Sequence, residues 1–279
     1  MELTRYENTS APALADLLER DRYAFSVLGN ILRGVFGPVR KIVTDHARLI
    51  LVYTCPPFPG WIWLPQDASE EEMERALKLI KTELPPEAKG RVNMRPALAK
   101  YILGRADGAD CRIGMQIDAY ACEALTPPER IVPGDCYAVG MEALSLAADW
   151  LYTMKQETGL DPMPRGECEA EIRDFIAHKR LFLWKAPDGD PICMCAVTDS
   201  GDMGYIGHVY TPPKYRRQGI ALSLVYHVTC AMLAQGMKPA LCVVSTNAAA
   251  AACYKQLGYQ VMGGFCTVET CGRTGEHVQ

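Results

Sequence analysis

The apolar positions follow two different spacings, and the switches between them mark the elements. Apolar residues recur at helical intervals over Ala11–Arg20 and Tyr23–Arg33. The short runs "KIVTD" (41–45), "RLILVYT" (48–54) and "WIWLP" (61–65) predict strands. Ser69 then precedes "EEEMERALKLIKTEL" (70–84), with carboxylates crowding the first turn and lysines the last. Both ends match the sign of the helix dipole, so the stretch predicts a helix capped by Ser69. This half reads as α/β or α+β.

The connector "LTPPERIVPGD" (125–135) holds three prolines and a glycine. It divides the chain into an N-terminal domain (1–125), a linker (126–135) and a C-terminal domain (136–279). Beyond it, helical spacing returns over Met141–Glu157 and Glu167–Ile176. "RLFLWKAPDGDPICMCAV" predicts two strands joined by an Asp-Gly turn, and "GDMGYIGHVYT" a turn and a third antiparallel strand. That strand stops where Pro212 and Pro213 remove two backbone donors. A helix follows from near Gly219, with Ala221, Leu224, Val225, Val228, Ala231 and Met232 on one face and Gly236 at its end. The strand "ALCVV", the helix "AAAAACYKQL" ended by Gly258, and the strand "YQVMGGFC" complete the order, which requires one parallel crossover.

Composition narrows the chemistry. With 49% apolar and 22% charged residues over 279 positions, the chain is expected to bury a core, in one large domain or two ordinary ones. A net charge of -4 gives no general attraction for nucleic acid, so any anion must be gripped by a local device. The twelve cysteines contain no CxxC pair, the start resembles no signal peptide and no apolar run is long enough for a bilayer. A reducing, cytoplasmic setting is expected, with no metal, no membrane and no nucleic acid as partners. Cys193 and Cys195 share one strand face and read as small buried hydrophobes.

One stretch stands apart from the acidic balance. In "YTPPKYRRQGIAL" (210–222), Lys214, Arg216 and Arg217 surround a strand-to-helix loop with a glycine at the helix start. A helix N-terminus leaves its first N–H groups unpaired, and Gly219 lets an anion approach the amides of Arg217 through Leu222. A turn glycine among solvated arginines would look the same in isolation. A second cluster, "STNAAAAACYKQLGY", adds weight. Asn247 heads a helix and Tyr254 lies two turns on along the same face, although an N-cap and a packing aromatic are the ordinary roles of such residues.

Together, "VYTPPKYRRQGIAL" and "NAAAAACYKQLGY" resemble the GNAT superfamily, the acyl-CoA-dependent N-acyltransferases. Its marks are R/Q-x-x-G-x-G/A after a strand and, later, an asparagine followed seven residues on by tyrosine and then by G-F/Y. The likeness covers roughly residues 134–279. In character it is nearest to bacterial GNAT proteins of this length, and more distantly like glycine N-acyltransferases. It implies a mixed, mostly antiparallel sheet with flanking helices, preceded by a divergent GNAT-like N-terminal half. That half lacks the glycine loop, since "KGRVNMRPALA" has no glycine where the loop requires one, and it is expected to shape the substrate cleft or an interface.

The resemblance implies an acyltransferase, in the first instance an N-acetyltransferase, using acetyl-CoA as acyl donor. The acceptor would be the amine of a small molecule or amino acid, and a homodimer is compatible with the sequence. Arg217, Gln218, Gly219, Ile220, Ala221 and Leu222 would cradle the pyrophosphate of coenzyme A, with Arg216 shaping the loop. The backbone of Val209, Tyr210 and Thr211 would hold the pantetheine arm and the thioester oxygen, Asn247 would hold the arm by its amide, and Tyr254 would protonate the departing thiolate. Some members carry a glutamate as base five residues before the asparagine, but Cys242 stands there and reads as core. His208 is the alternative catalytic base, although strand alternation sets it on the face opposite Val209. A structural histidine or a water relay competes with that role, and His227 reads as structural. A non-catalytic acyl-CoA sensor is the rival reading. The acidic run "ECEAEIRD" fits either a cationic substrate or an exposed helix.

Overall fold

The computed structural model describes residues 2–55, 58–85, 90–105, 110–159 and 162–270. The contacts divide the chain into two compact units. One comprises the chain up to Ala119 with Val244–Thr246 and Met262 onward; the other comprises Tyr120–Val243 and Asn247–Val261.

The first unit runs β1 (Thr4–Glu7), a 3-10 helical segment (Pro12–Asp21), α1 (Ser26–Leu32), β2 (Val39–Thr44), β3 (Ile50–Thr54), β4 (Gly60–Trp63), α2 (Glu70–Glu83), β5 (Arg91–Met94), α3 (Pro96–Leu103) and β6 (Cys111–Ala121). Strands β1 to β4 pair antiparallel in sequence order, whereas β4 and β5 pair parallel across α2. Residues Cys266–Glu269 of a much later strand, β12 (Gln260–Thr270), then pair antiparallel with β5. The strands are almost continuously apolar because helices cover both faces of the sheet. Ile42, Ile50, Val52, Trp61 and Trp63 face the 3-10 segment and α1, while Val43, Leu51, Ile62, Val92 and Met94 face α2 and α3.

The second unit repeats this order. It runs β7 (Asp135–Ala138), α4 (Leu144–Thr158), α5 (Arg165–Ala177), β8 (Leu181–Lys185), β9 (Pro191–Ser200), β10 (Met203–Tyr210), α6 (Ile220–Ala234), β11 (Lys238–Val244) and α7 (Ala248–Gln256). Strands β7 to β10 are antiparallel neighbours and β10 pairs parallel with β11. This is the expected crossover. One core, with Cys193, Cys195, Ile206, Leu241 and Val243, lies under α6 and α7; the other, with Leu183, Met194, Ala196 and Tyr210, lies under α4 and α5. Cys193 and Cys195 are thus buried on one face as expected, and burial pushes the Cys193 thiol up to about 12. α6 ends as anticipated at Gly236, whose left-handed φ of 73° follows the last turn. No described helix is long and apolar enough to cross a membrane.

Candidate active site

Four pieces of the second unit carry the site, and the core under α6 and α7 gathers them: Val209, Ile220, Ala221, Leu222 and Tyr254 all pack into or against it. The first piece is the loop after β10. A 3-10 turn (Pro213–Tyr215) leads to Arg216, whose backbone is extended. The Arg216 guanidinium is committed to the protein. Its Nε donates to Thr211 O at 2.8 Å, its Nη2 to Glu157 Oε2 of α4 at 2.5 Å, and it lies over the Tyr210 ring. Arg216 therefore fastens the loop to Thr211 and to α4.

Arg217 (φ 60°) and Gly219 (φ 80°) are both left-handed, on either side of Gln218. Such alternation turns successive N–H groups into one concavity, a nest suited to an anion. The first helical bond runs from Ser223 N–H to Gly219 O, and none of the N–H groups of Arg217, Gln218, Gly219, Ile220, Ala221 or Leu222 has a protein acceptor among the described residues. The requirement for glycine is conformational: a Cβ at Gly219 would meet only Val132 Cγ2, at an ordinary 3.6 Å, but a side chain disfavours that φ. The connector braces this turn, since Val132 N–H donates to Ser223 Oγ, which donates to Gly219 O. Around the nest, the Arg217 side chain is exposed and Lys214 Nζ sits over the Tyr215 ring at 4.5 Å.

The second piece is the end of β10. Its parallel pairing with β11 covers only Met203–Ile206 against Lys238–Leu241. Against β9, the register slips between Gly207 and Tyr210, where three steps on β10 oppose two on β9. His208, with a left-handed φ of 50°, lies inside that bulge. From Gly207 on, the β10 backbone leaves its parallel neighbour, so the main chain of Val209, Tyr210 and Thr211 borders a gap in the sheet. Val209 and Thr211, whose Oγ1 is 3.2 Å from Cys193 Sγ, belong to the α6 and α7 side; Tyr210 is buried toward α4 and α5.

The third piece is α7. Asn247 caps it, its Oδ1 accepting from Ala250 N–H at 3.1 Å, which leaves its NH₂ group uncommitted. Two turns on, Tyr254 is only 9% exposed, its ring 6.1 Å from that of Tyr259. Burial holds its hydroxyl well above the ordinary phenol range, so it stays protonated.

The fourth piece is a contact the sequence reading missed. His208 faces α4 and α5, on the side away from Val209, as alternation suggested, and its Nε2 is 2.7 Å from Glu171 Oε1 of α5. The Phe175 ring meets the imidazole edge-on, centroids 5.4 Å apart. Half-burial pushes the Glu171 carboxyl up, but the hydrogen bond and charge of His208 and the charge of Lys155 more than offset this and hold it below its usual range. The acidic run is therefore divided: Glu169 pairs with Arg165 and Arg173 at the surface, whereas Glu171 turns inward. His227 is structural, as expected, with Nδ1 2.8 Å from Ser223 O. Cys242 corrects the expectation of a core thiol. It is exposed, one residue past the last β10–β11 pair, while Leu241 and Val243 on either side are buried.

Residues 187–268 match the family described as FR47-like protein. No curated protein sequence matches the chain. Among solved structures, a GNAT-family acetyltransferase from Colwellia psychrerythraea is similar over 96% of this chain and 98% of its own, at 14% identity and a TM-score of 0.62. A GCN5-related N-acetyltransferase from Sphaerobacter thermophilus is similar over 95% and 94%, at 16% identity and a TM-score of 0.63. A tandem GNAT protein from the clavulanic acid biosynthesis pathway is similar over 98% of this chain and 100% of its own, at 12% identity and a TM-score of 0.58. The chain thus shares the fold of these GNAT proteins over nearly its whole length, and its two halves repeat one GNAT-like strand order.

Proposed function

We propose that the second unit is an acyl-CoA-dependent N-acyltransferase that moves an acetyl group to the amine of a small molecule. The observation that carries this reading is the unbroken row of unpaired N–H groups from Arg217 to Leu222, next to the place where β10 parts from β11. The row supplies hydrogen bonds and the positive end of a 15-residue helix to a diphosphate. The edge of β10 that has left β11 over Val209–Thr211, apart from the Thr211 O held by Arg216, offers a strand edge to the amides of a pantetheine arm and a donor to the thioester oxygen. Asn247 contributes its NH₂ group to the same arm. Tyr254 holds the proton that the departing thiolate needs, a thiolate of pKa about 8.5 by analogy with cysteine accepting from a neutral phenol.

Acetyl-CoA supplied with a panel of amines and amino acids tests this reading by amine-dependent release of free thiol. Gly219→Glu places a carboxylate in the nest on a strained φ, and is expected to abolish both coenzyme binding and thiol release. Tight binding of acetyl-CoA with no amine-dependent release across a broad panel would overturn the enzymatic reading and favour a sensor.

A further inference from the structure

We propose that Glu171 is a positioning residue for His208, fixing the imidazole so that its Nδ1 takes the proton from the attacking amine. This rests on the N-acyltransferase reading above. A carboxylate accepts and cannot donate, so the 2.7 Å contact places a hydrogen on Nε2 and leaves Nδ1 of neutral His208 as the acceptor. Nδ1 has no hydrogen bond among the described residues. Phe175 packs edge-on against the ring.

Position supports the role as strongly as pairing. His208 immediately precedes Val209, one residue step of about 3.8 Å from the backbone that faces the gap. The bulge that frees this backbone also holds His208, so one irregularity of β10 opens the sheet and aims the ring. His208 lies on the α4 and α5 side of β10 and Tyr254 on the α6 and α7 side. Base and acid therefore flank the thioester position from opposite faces of the strand. The amine nitrogen donates its lone pair to the thioester carbon and gives one proton to Nδ1; the C–S bond breaks with its electrons going to sulfur, which takes the proton of Tyr254. His208 returns its proton to water and Tyr254 is reprotonated, so an ammonium substrate yields amide, free thiol and one released proton.

The charged groups around the ring are Glu171 from α5 and, through it, Lys155 from α4; β9 presents Ala196 and Met194 opposite the bulge. Glu171 holds the ring in one orientation and stabilises the imidazolium that forms when the amine gives up its proton.

The test compares kcat, KM and the imidazole tautomer read by nitrogen NMR for the full chain, Glu171→Gln, His208→Asn and, as a packing control, Phe175→Leu. Glu171→Gln, whose amide can donate as well as accept, is expected to relax the single Nε2–H tautomer of His208 and to reduce kcat roughly 10- to 1000-fold with little change in KM. His208→Asn, which tolerates the left-handed φ, should lose turnover. Phe175→Leu should keep the Nε2–H tautomer, and all three should bind acetyl-CoA as the parent does. An active parent whose tautomer and kcat are unmoved by Glu171→Gln, or whose turnover survives His208→Asn, overturns this proposal alone. A parent that binds acetyl-CoA without turnover overturns the transferase reading and this proposal with it.

Discussion

Tyr254 keeps its proton in a place nearly closed to water, surrounded by Tyr259 and the thiols of Cys193, Cys195 and Cys253. Its hydroxyl makes no hydrogen bond among the described residues, so Tyr254→Phe leaves no partner stranded and little stability is lost. The expected outcome is unchanged coenzyme affinity with kcat down by roughly 100-fold or more. Calorimetry beside steady-state kinetics checks this, and equal turnover would remove the residue from the reaction. Because burial raises this phenol, it should also impose no alkaline limb below about pH 10. At this scale the loop and the Asn247–Tyr254 pair were legible in the sequence, because a left-handed glycine and an N-cap leave strong local signatures. Cys242 and Glu171 were not. Which side of β11 is open depends on where β10 departs from it, and Glu171 meets a residue on a distant strand.

α2 and α6 occupy the same place in their units, between the two strands of a parallel pair, yet they start oppositely. The start of α2 is closed by a capping box: Glu72 N–H donates to Ser69 Oγ at 3.3 Å and Ser69 N–H donates to Glu72 Oε2 at 2.8 Å, with Glu70 and Glu71 adding further carboxylates. That sequence-predicted cap is what disqualifies the first unit as an anion site. The other end of α2 is an ionic anchor, since Glu83 binds Arg5 of β1 at 2.6 Å and Lys41 of β2 at 2.8 Å. Those hydrogen bonds draw the Glu83 carboxyl down to about 2. A carboxyl depressed in the folded state stabilises above the ordinary carboxylate range and loses that contribution as pH falls from about 4.5 toward 2. Glu83→Gln should therefore cost on the order of 1–2 kcal/mol at neutral pH, discounted for the solvent around Arg5, and nothing near pH 2. Denaturant titrations at both pH values measure this difference. β5 escaped the sequence reading for a related reason: its buried Asn93 accepts from Thr267 Oγ1 at 2.7 Å, and a polar residue in mid-strand hides an apolar run.

For the whole molecule, each half carries four antiparallel strands, a parallel crossover and a helix after the fifth strand. Of the two crossover helices, α6 begins with bare N–H groups and α2 with a closed capping box, so acetyl-CoA is expected to titrate at one equivalent per chain. Gly219→Glu should reduce that to none, and a second equivalent surviving in the variant would show that the first unit binds as well. The repeat itself was hard to see in the sequence, because the two halves meet the same topology with different side chains. α1 is seven residues long and follows a 3-10 segment, where the second half has the two long helices α4 and α5.

β12 follows the second unit along the chain, yet its later residues pair within the first. Cys266 and Val268 belong to the same core as Val92 and Met94, and the partners of Arg91–Met94 are Cys266–Glu269. On a ribosome, the first half of the nascent chain must wait with β5 lacking this neighbour until the second half has been made. Its early form is an unfinished sheet with a bare edge, and closure of that edge couples maturation of the first unit to arrival of the last strand.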